Sequence, residues 1–330
     1  MQAIVYSEFG PATDVLDLRE IPTPHPANGE VLVRMHRSGV NPSDVKARAG
    51  SRPGITKPPF PQIIPHSDGA GIIEAVGQGV AKTRIGERVW IWNGQWQRPF
   101  GTAAHYIALP AQQAVPLPDG ISFETGATFG IPALTAAQTV FGGGSIKGRT
   151  LLVSGGGGSV GHLAIQLARW GGAKVIAMAS PGTSQEHCRD AGAFAAIDYR
   201  SPTLAQDILT ANDGRPIDRA IECEFGKNID VLADVMAPLG TIAAYGSAAE
   251  MMPKLNFGTL LFKALKIDIS LIYILPRDER ARRIAQIHAA HGDGALTSRV
   301  HATYPLAQCA KAHEAVEHAG RHGAILLDCG

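Results

Sequence analysis

The sequence predicts an α/β protein of two domains, a β-rich domain and a doubly wound parallel sheet. Three observations predict this fold class. The length of 330 residues suggests roughly two domains of about 150 residues each. Residues 1–124 contain short alternating segments separated by turn formers, whereas short apolar strands alternate with helices from Thr150 onwards. A glycine-rich segment, Ser154–Gly161, joins the first of those apolar strands to a helix.

The composition limits the classes of function. Hydrophobic residues make up 45% of the chain, which is enough for a large core and excludes disorder as the main state. The 30 Lys and Arg residues against 29 Asp and Glu residues give a net charge of +1, without the basic excess of a polynucleotide-binding protein. We therefore expect no nucleic acid partner.

The cysteines and the hydropathy pattern indicate the compartment. The four cysteines form no CxxC pair, so no zinc ribbon or redox pair is encoded locally. Free thiols are typical of a reducing compartment. The N-terminus has no signal-peptide pattern, and no segment has the length and apolarity of a membrane span. We expect a cytoplasmic protein with no membrane partner.

The β-rich domain is predicted from apolar residues that alternate with polar ones, as in half-buried strands. Its strand candidates are Met1–Tyr6, Val31–His36, Ile72–Val76, Arg88–Trp92 and His105–Leu109. Turn formers separate these segments.

The second domain is predicted from a regular succession of strands and helices, which is typical of a parallel sheet. The predicted strands are Leu151–Val153, Lys174–Ala179, Ala195–Asp198, Asp218–Glu222, Thr241–Tyr245 and Ile267–Leu275. The predicted helices are Val160–Trp170, Ser184–Ala191, Leu204–Leu209 and Ile229–Met236.

The C-terminal residues contain a charged helix near Arg277–His291, a helix near Leu306–Ala319 and a strand at Ala324–Leu327. They are too few for a third domain, so we expect them to rejoin the first one. The predicted domains are therefore 1–124 with 276–330, and 125–275.

The glycine segment has the spacing of a dinucleotide-binding loop. Gly155, Gly158 and Gly161 recur every third residue between a predicted strand and helix. Such glycines permit a tight turn and a close approach to a pyrophosphate, which the first amides of the helix, at Ser159 and Val160, would bind.

A second interpretation fits part of the same segment. Gly157–Gly161 also matches G-x-S-x-G, the nucleophile elbow of α/β hydrolases, with Ser159 as the nucleophile. Asp218 or Asp234, with His291 or His313, would complete a Ser, Asp, His order. Against it, four glycines separate the strand from Ser159, and the β-rich domain has no role in that scheme.

The choice of cofactor depends on the end of the second strand, where an acidic residue would bind the ribose of NAD. No carboxylate stands there, because Ala179 is followed by Ser180, and Ser184 comes shortly after. Small hydroxyls leave room for a 2′-phosphate, and Arg200 or Arg189 would supply charge. The sequence therefore favours NADPH.

Motifs along nearly the whole chain resemble those of one family. They are Ser38-Gly39-Val40-Asn41-Pro42-Ser43-Asp44, Asp68-Gly69-Ala70-Gly71, Gly86-Glu87-Arg88-Val89, Leu134-Thr135-Ala136 and the glycine loop. Together they resemble zinc-free medium-chain dehydrogenases/reductases of the quinone oxidoreductase type, the group that includes zeta-crystallin. The resemblance implies a GroES-like catalytic domain, a Rossmann domain and a cleft between them that holds NADPH.

The same resemblance implies that the catalytic zinc of related enzymes is missing. Zinc-dependent relatives place Cys, His and Glu where this chain has Asn41, Ser67 and Asp68, and a further Cys near Gly130. His66 is one residue out of register and is not expected to replace the lost ligand. We expect no metal at that position, because zinc needs three good protein ligands.

The resemblance also assigns the site residues. Asn41 and Thr135 are expected at the nicotinamide, with Asp44 as a third candidate for catalysis. An alternative for Asn41-Pro42-Ser43-Asp44 is a helix start alone, with Asn41 as its N-cap. The other expected cofactor contacts are Gly155, Gly158, Ser159, Val160, Gly161, Ser180, Ser184, Tyr199, Arg200, Tyr245, Gly246, Ser247, Ser270, Leu271 and Ile272.

These inferences predict a reductase that passes a hydride from NADPH to a quinone or to a related α,β-unsaturated carbonyl. Two alternatives stay open: an enone or enal reductase with little quinone activity, and a non-enzymatic RNA-binding protein linked to NADPH. We expect a homodimer in which the predicted strand Ile267–Leu275 pairs with its copy.

Overall fold

The computed structural model describes residues 1–52, 54–318 and 320–330. The chain divides into two compact units. The first unit consists of Met1–Ile131 with Arg299–Gly330, and the second unit of Pro132–Ser298. In the described part of the chain, no helix is both long and apolar enough to cross a membrane.

The N-terminal part of the first unit contains mainly strands. The strands are β1 (Gln2–Val5), β2 (Asp17–Glu20), β3 (Glu30–Val40), β4 (Asp68–Val76), β5 (Arg88–Ile91), β6 (Tyr106–Pro110) and β7 (Ala114–Pro116). The helices are α1 (Ala12–Val15), α2 (Pro42–Arg48) and α3 (Phe123–Gly126). A π-helical turn at Phe129–Ala133 follows them.

The second unit alternates helices and strands, as the sequence predicts. Its helices are α4 (Leu134–Phe141), α5 (Ser159–Trp170), α6 (Thr183–Asp190), α7 (Leu204–Ala211), α8 (Phe225–Val235), α9 (Phe257–Phe262) and α10 (Arg277–Gly292). Its strands are β8 (Thr150–Val153), β9 (Lys174–Ala179), β10 (Ala195–Asp198), β11 (Ile217–Glu222), β12 (Met236–Ala244) and β13 (Lys266–Ile269). The chain then completes the first unit with β14 (Val300–Pro305), α11 (Cys309–Glu317) and β15 (Ala324–Asp328).

The main sheet of the first unit has the order β14-β15-β3-β4-β5-β7, with β6 also paired to β3, and β1 and β2 form a separate two-stranded sheet. The C-terminal strand β15 runs antiparallel to β3, with Ile325 opposite Val40. This pairing explains why the C-terminal segment rejoins the first unit. Val33 and Met35 on β3 are fully buried in the core, as the alternating pattern of the sequence predicts.

The second unit contains a parallel sheet in the order β10-β9-β8-β11-β12-β13. Leu152 on β8, Ile176 on β9 and Ile242 on β12 are fully buried. Short strands of this kind are wholly apolar because helices cover both faces of the sheet.

The boundaries between the units differ from the predicted ones, at 131/132 and 298/299 rather than 124/125 and 275/276. Helix α10 belongs to the second unit because its Arg283 Nε donates to Gln138 Oε1 of α4 over 2.8 Å. Further along, the Thr297 N–H donates to Gln166 Oε1 of α5 over 2.9 Å. Because of these contacts, the chain belongs to the second unit as far as Ser298.

Two further predictions need correction. The strand predicted at Ile267–Leu275 ends at Ile269, and Ile272–Ile274 form a 3₁₀ turn. The neighbouring strand β12 ends at Ala244, whose carbonyl accepts the last bond, from Ser270 N–H. The helix predicted at Leu306–Ala319 begins as a 3₁₀ turn and continues as α11, while Ala319 lies outside the described residues.

Candidate functional site

The glycine loop lies at the carboxyl edge of the parallel sheet. It leaves β8, whose neighbours are β9 on one side and β11 on the other, so the order of the strands reverses there. Ser154 N–H donates to Ile221 O over 2.9 Å, and Gly156 N–H donates to Met178 O over 3.0 Å. The loop is thus tied to both neighbouring strands. Open parallel sheets bind ligands in the crevice at such a reversal.

The conformation of this loop requires glycine. Gly155 has a φ of +62°, in the left-handed region. A Cβ on Gly161 would lie 2.2 Å from Gly155 O, so only glycine lets α5 start this close to the loop. Among the described residues, no side chain caps α5 at Gly158, so no cap occupies the first amides of the helix, at Ser159 and Val160. Such a helix start binds the phosphates of a dinucleotide.

The predicted adenosine contacts lie together at one corner of this edge. The register pairs Asp198 on β10 with Ala179 on β9, so Tyr199 and Ser180 leave the sheet side by side. Ser180 Oγ donates to Ser184 Oγ over 3.1 Å. The structure therefore brings these predicted residues into one place.

Arg200 is the cation of this corner. Its Nε donates to Asp198 Oδ1 over 3.2 Å, and its guanidinium lies 5.6 Å from the centre of the Tyr199 ring. The Arg200 backbone N–H and guanidinium hold the pKa of Asp198 below its usual value. The acidic residue at this corner, Asp198, therefore ends β10 rather than β9, and it is already paired with Arg200.

The other predicted cofactor contacts follow β12 and β13. Tyr245 N–H donates to Glu222 O over 2.9 Å, and Gly226 N–H donates to Ser247 Oγ over 2.8 Å. Gly246 is required because a Cβ there would lie 2.5 Å from Cys223 O. These contacts fix the Tyr245–Ser247 turn against the end of β11.

Ser270, Leu271 and Ile272 do not lie within a strand, which corrects the predicted position. They follow β13, with Ile272 buried and Leu271 47% exposed. Ser270 Oγ is buried, and no described residue forms a hydrogen bond with it. Ser270 thus presents a buried hydroxyl without a partner among the described residues at this edge.

Glu222 is a site residue that the sequence interpretation missed. Its Oε1 accepts from Ser154 Oγ over 2.8 Å, and burial raises its pKa. Its Oε2 has no hydrogen-bond partner among the described residues. A carboxylate at the end of a predicted strand of the parallel sheet was the available signal.

The hydrolase interpretation fails on geometry. Asp218 Oδ2 accepts from Thr150 N–H over 2.7 Å, at the amino ends of β11 and β8. Ser159 lies beyond the carboxyl end of β8. Asp218 and Ser159 are at opposite edges of the sheet, so they cannot share a histidine. Asp234, at the end of α8 just before β12 begins, lies at the same edge as Asp218.

In the first unit, Asn41 lies between two buried carboxyl groups. It is the N-cap of α2, as the sequence predicts, and its backbone N–H donates to Asp44 Oδ2 over 2.8 Å. Its side-chain Nδ2 donates to Asp68 Oδ2 over 2.8 Å. The capping role is therefore present, and Asp68 additionally fixes the orientation of the amide.

Asp68 connects Asn41 to the turn before α4. Both carboxyl oxygens of Asp68 accept from Ile131 N–H at 2.9 Å, and a Cβ on Gly130 would lie 2.1 Å from Oδ1. Burial, with a smaller contribution from the charge of Asp44, raises the pKa of Asp68 well above its usual value. Burial raises the pKa of Asp44 to about 7, against the hydrogen bonds from Asn41.

Thr135 lies in the first turn of α4 in the second unit. It is buried, and its carbonyl accepts from Thr139 Oγ1 over 2.8 Å. The π-helical turn before it contains Pro132.

Models of two protein families match the chain. The alcohol dehydrogenase GroES-like domain matches residues 27–119, and the zinc-binding dehydrogenase domain matches residues 159–287. Both matches agree with the observed first and second units.

The residues at the expected catalytic zinc position do not fit a zinc ion. Asn41, Asp68 and the Ile131 backbone occupy it and hydrogen-bond to one another. An amide nitrogen and a main-chain N–H are donors of hydrogen bonds, not zinc ligands, and the single carboxyl group is already engaged.

The chain is similar over nearly its whole length to curated quinone oxidoreductases. The protein from Rattus norvegicus is 29% identical over 332 residues, which cover 99% of this chain and 97% of the relative. The one from Pseudomonas aeruginosa is 30% identical over 258 residues, covering 78% of this chain and 77% of the relative.

Solved structures agree. An NAD-dependent alcohol dehydrogenase superposes with a TM-score of 0.91 at 26% identity, covering 100% of both chains. An Escherichia coli quinone oxidoreductase complexed with NADPH superposes with a TM-score of 0.87 at 26% identity, covering 99% of this chain and 100% of the other. With the fold and the glycine loop, these matches show that the chain belongs to the medium-chain dehydrogenase/reductase family of the quinone oxidoreductase type, and that it is an oxidoreductase.

Proposed function

We propose that the protein transfers a hydride from NADPH to a quinone or to the β-carbon of an α,β-unsaturated carbonyl, without a catalytic zinc. The observation that carries the proposal is the Asn41–Asp68–Ile131 hydrogen-bond cluster at the position of the zinc ligands. Without a Lewis acid to lower the pKa of an alcohol, a neutral amide suits an acceptor whose charge is delocalised.

The second unit would hold NADPH, which supplies the hydride when bound. The amides after Gly158 would bind the pyrophosphate, and the glycines of the loop allow its close approach. The hydroxyl groups of Ser180 and Ser184, with Tyr199 and Arg200, would receive the 2′-phosphate. The preference for NADPH follows because the end of β9 lacks the acidic residue that binds the ribose of NAD.

Tyr245, Gly246, Ser247 and Ser270 would complete the cofactor site along the same edge of the sheet. Ser270 Oγ is the best-placed of these groups because it is buried and, within the described residues, without a partner. A cofactor hydroxyl or carboxamide would satisfy it.

Asn41 and Thr135 would act on the nicotinamide or on the carbonyl of the substrate. Asp68 holds the Asn41 amide in one orientation, so its remaining donor hydrogen and its carbonyl are preorganised. We assign Asp44 a positioning role, because it accepts a hydrogen bond from the Asn41 backbone.

We further propose a cytoplasmic homodimer that associates through the second unit. β13 is an edge strand of the parallel sheet, and Phe262 and Ile269 nearby in sequence are 90% and 77% exposed. Exposed apolar residues at a sheet edge favour pairing with another chain. The four free cysteines support a reducing compartment.

An acceptor screen tests the function. Oxidation of NADPH is followed by absorbance with 1,4-benzoquinone, a naphthoquinone, a conjugated enal and a conjugated enone as separate acceptors. We expect turnover with the quinones. Turnover of the enal or enone alone would instead establish the double-bond reductase, and no turnover with any of them would contradict the proposal.

A further inference from the structure

A buried cluster in the core of the first unit has no role in the proposed reaction. His66, in the loop before β4, meets Cys309 and His313 of α11. The three residues are at most 1% exposed. The two Nε2 atoms are 2.8 Å apart, and Cys309 Sγ is 3.9 Å from His66 Nε2. One ligand atom from each residue thus lies within 4.8 Å of the others.

A chain of hydrogen bonds fixes the tautomer of His66. Thr102 Oγ1 donates to the Asp68 carbonyl over 2.6 Å, so its oxygen must accept from Ser38 Oγ, 2.8 Å away. Ser38 Oγ in turn must accept from His66 Nδ1, at 2.9 Å. His66 therefore carries its proton on Nδ1, and its Nε2 lone pair points at His313. This is the arrangement in which a histidine binds a metal, with the other ring nitrogen held by a hydrogen bond.

The tautomer of His313 is not fixed in this way. Within the described residues, no group forms a hydrogen bond with its Nδ1. In the absence of a metal, its Nε2–H must donate to His66 Nε2, because that lone pair is the acceptor. Moving this proton to Nδ1 turns Nε2 into a second ligand atom.

His66 is also held in a conformation that histidine rarely adopts. Its φ is 77°, in the left-handed region. A non-glycine residue there costs of order 1 kcal/mol and often marks a functional position. The position of the ring in the cluster thus goes together with a strained backbone conformation at His66.

The donor set and the charge identify the metal. Two imidazoles and one thiolate suit soft or borderline ions such as Cu(I) and Zn(II). No fourth His, Cys, Asp or Glu joins the group in the described part of the chain, whereas structural zinc is almost always four-coordinate. A monovalent ion with one thiolate is neutral, but Zn(II) would leave a net positive charge in the core.

The geometry points to a three-coordinate Cu(I) site formed by His66 Nε2, His313 Nε2 and Cys309 Sγ. Tetrahedral or trigonal bonds of about 2 Å require the two nitrogens to be roughly 3.3–3.5 Å apart, so the imidazoles must separate by about half an ångström. The step is a ligand exchange: Cu(I) loses the ligands that carry it, acetonitrile in the test below, and forms three bonds to the protein. The Cys309 thiol releases one proton to solvent, and the His313 proton moves from Nε2 to Nδ1. No electron is transferred.

The test is a competition for Cu(I) with the reduced full-length protein under anaerobic conditions. Cu(I) is supplied as its acetonitrile complex and withdrawn by bicinchoninate, whose copper complex is coloured. We expect wild type to retain one copper per chain. His66→Gly and Cys309→Ser should bind it at least tenfold more weakly, while Cys188→Ser, which removes a buried thiol of the second unit, should match wild type.

His66→Gly is suited to this test because glycine accepts the positive φ at position 66. A thermal melt checks that the variants fold. X-ray absorption at the copper edge of loaded wild type, which needs no variant, should show two nitrogen ligands and one sulfur. Sulfur-only ligation, equal retention by Cys309→Ser, or tighter binding of Zn(II) than of Cu(I) would each overturn the assignment.

Discussion

We propose a catalytic role for Asn41 beside its position as the N-cap of α2, and substitution separates the two. Asn41→Ala removes the donor to Asp68 and the N-cap side chain of α2. We expect kcat to fall more than the affinity for NADPH, because the proposed role of the amide is on the reacting groups rather than on the phosphates. The lost cap should also cost about 0.5–2 kcal/mol of stability. Steady-state kinetics, NADPH titration and a thermal melt measure the three effects, and a lower melting temperature with unchanged kcat would leave Asn41 as a cap alone.

Asp44 gives the stability a pH dependence of known sign. Its pKa is raised to about 7 in the folded protein from an ordinary value of 3.8, so the folded state binds the extra proton. The resulting stabilisation is complete below pH 4 and is lost as the pH rises to about 7. Relative to Asp44→Asn, which cannot titrate, wild type should lose about 2–3 kcal/mol of unfolding free energy between pH 5 and pH 7. Urea unfolding of both proteins measures this, and parallel curves would refute it.

Arg200 should set the preference for NADPH. Wild type is expected to bind NADPH at least tenfold more tightly than NADH, a difference of about 1.4 kcal/mol. Arg200→Ala should reduce this ratio because the 2′-phosphate loses its cation. Arg215→Ala is the matched control, since Arg215 also pairs with an aspartate two residues earlier but precedes β11, at the opposite edge of the sheet. Nicotinamide fluorescence gives the affinities. Equal binding of both nucleotides by wild type would contradict the assignment.

Contacts between residues close together in the chain could be predicted from the sequence. Contacts between residues far apart in the chain could not. Asn41 as an N-cap followed from the next three residues. The bond from Ile131 N–H to Asp68 could not be predicted, because it joins residues 63 apart and depends on how the chain passes Gly130. The His66–His313 contact, between residues 247 apart, was hidden for the same reason.

At the scale of an element, the glycine loop depends on the close approach of α5. Gly161→Ala would place a Cβ 2.2 Å from Gly155 O, a backbone atom that cannot move aside cheaply. We expect the loop to shift and the affinity for NADPH to fall more than tenfold. Gly292→Ala, at the end of α10 with no atom within 4 Å of its added Cβ, should change stability by no more than about 0.5 kcal/mol. NADPH titration of the two variants decides, and unchanged binding in Gly161→Ala would contradict this role.

The limits of a strand were predicted well where the hydrophobic pattern and the flanking turn residues agree. They were predicted less well for the strand at the edge of the sheet. The strands at Lys174–Ala179 and Ala195–Asp198 have the predicted limits. β13 is shorter than its apolar sequence suggests, since a strand extends only as far as its neighbour offers hydrogen bonds. Apolar content alone does not reveal that limit.

At the scale of the whole molecule, the sequence predicted the return of the C-terminal segment but not where it begins. The sequence of the charged helix α10 does not indicate which unit the helix belongs to. In the structure, the hydrogen bond from Arg283 to Gln138 joins it to the second unit. The boundary at Ser298 follows from such pairings, which have no local signature.

In the proposed function, this oxidoreductase reduces quinones with NADPH and needs no zinc. The most direct measurement is NADPH oxidation by 1,4-benzoquinone with protein dialysed against a zinc chelator and analysed for metal. We expect undiminished turnover without zinc, and no oxidation of cyclohexanol with NADP⁺, because an amide at Asn41 cannot generate an alkoxide. Loss of turnover on chelation with recovery on adding zinc would contradict it, as would rapid alcohol oxidation without quinone reduction.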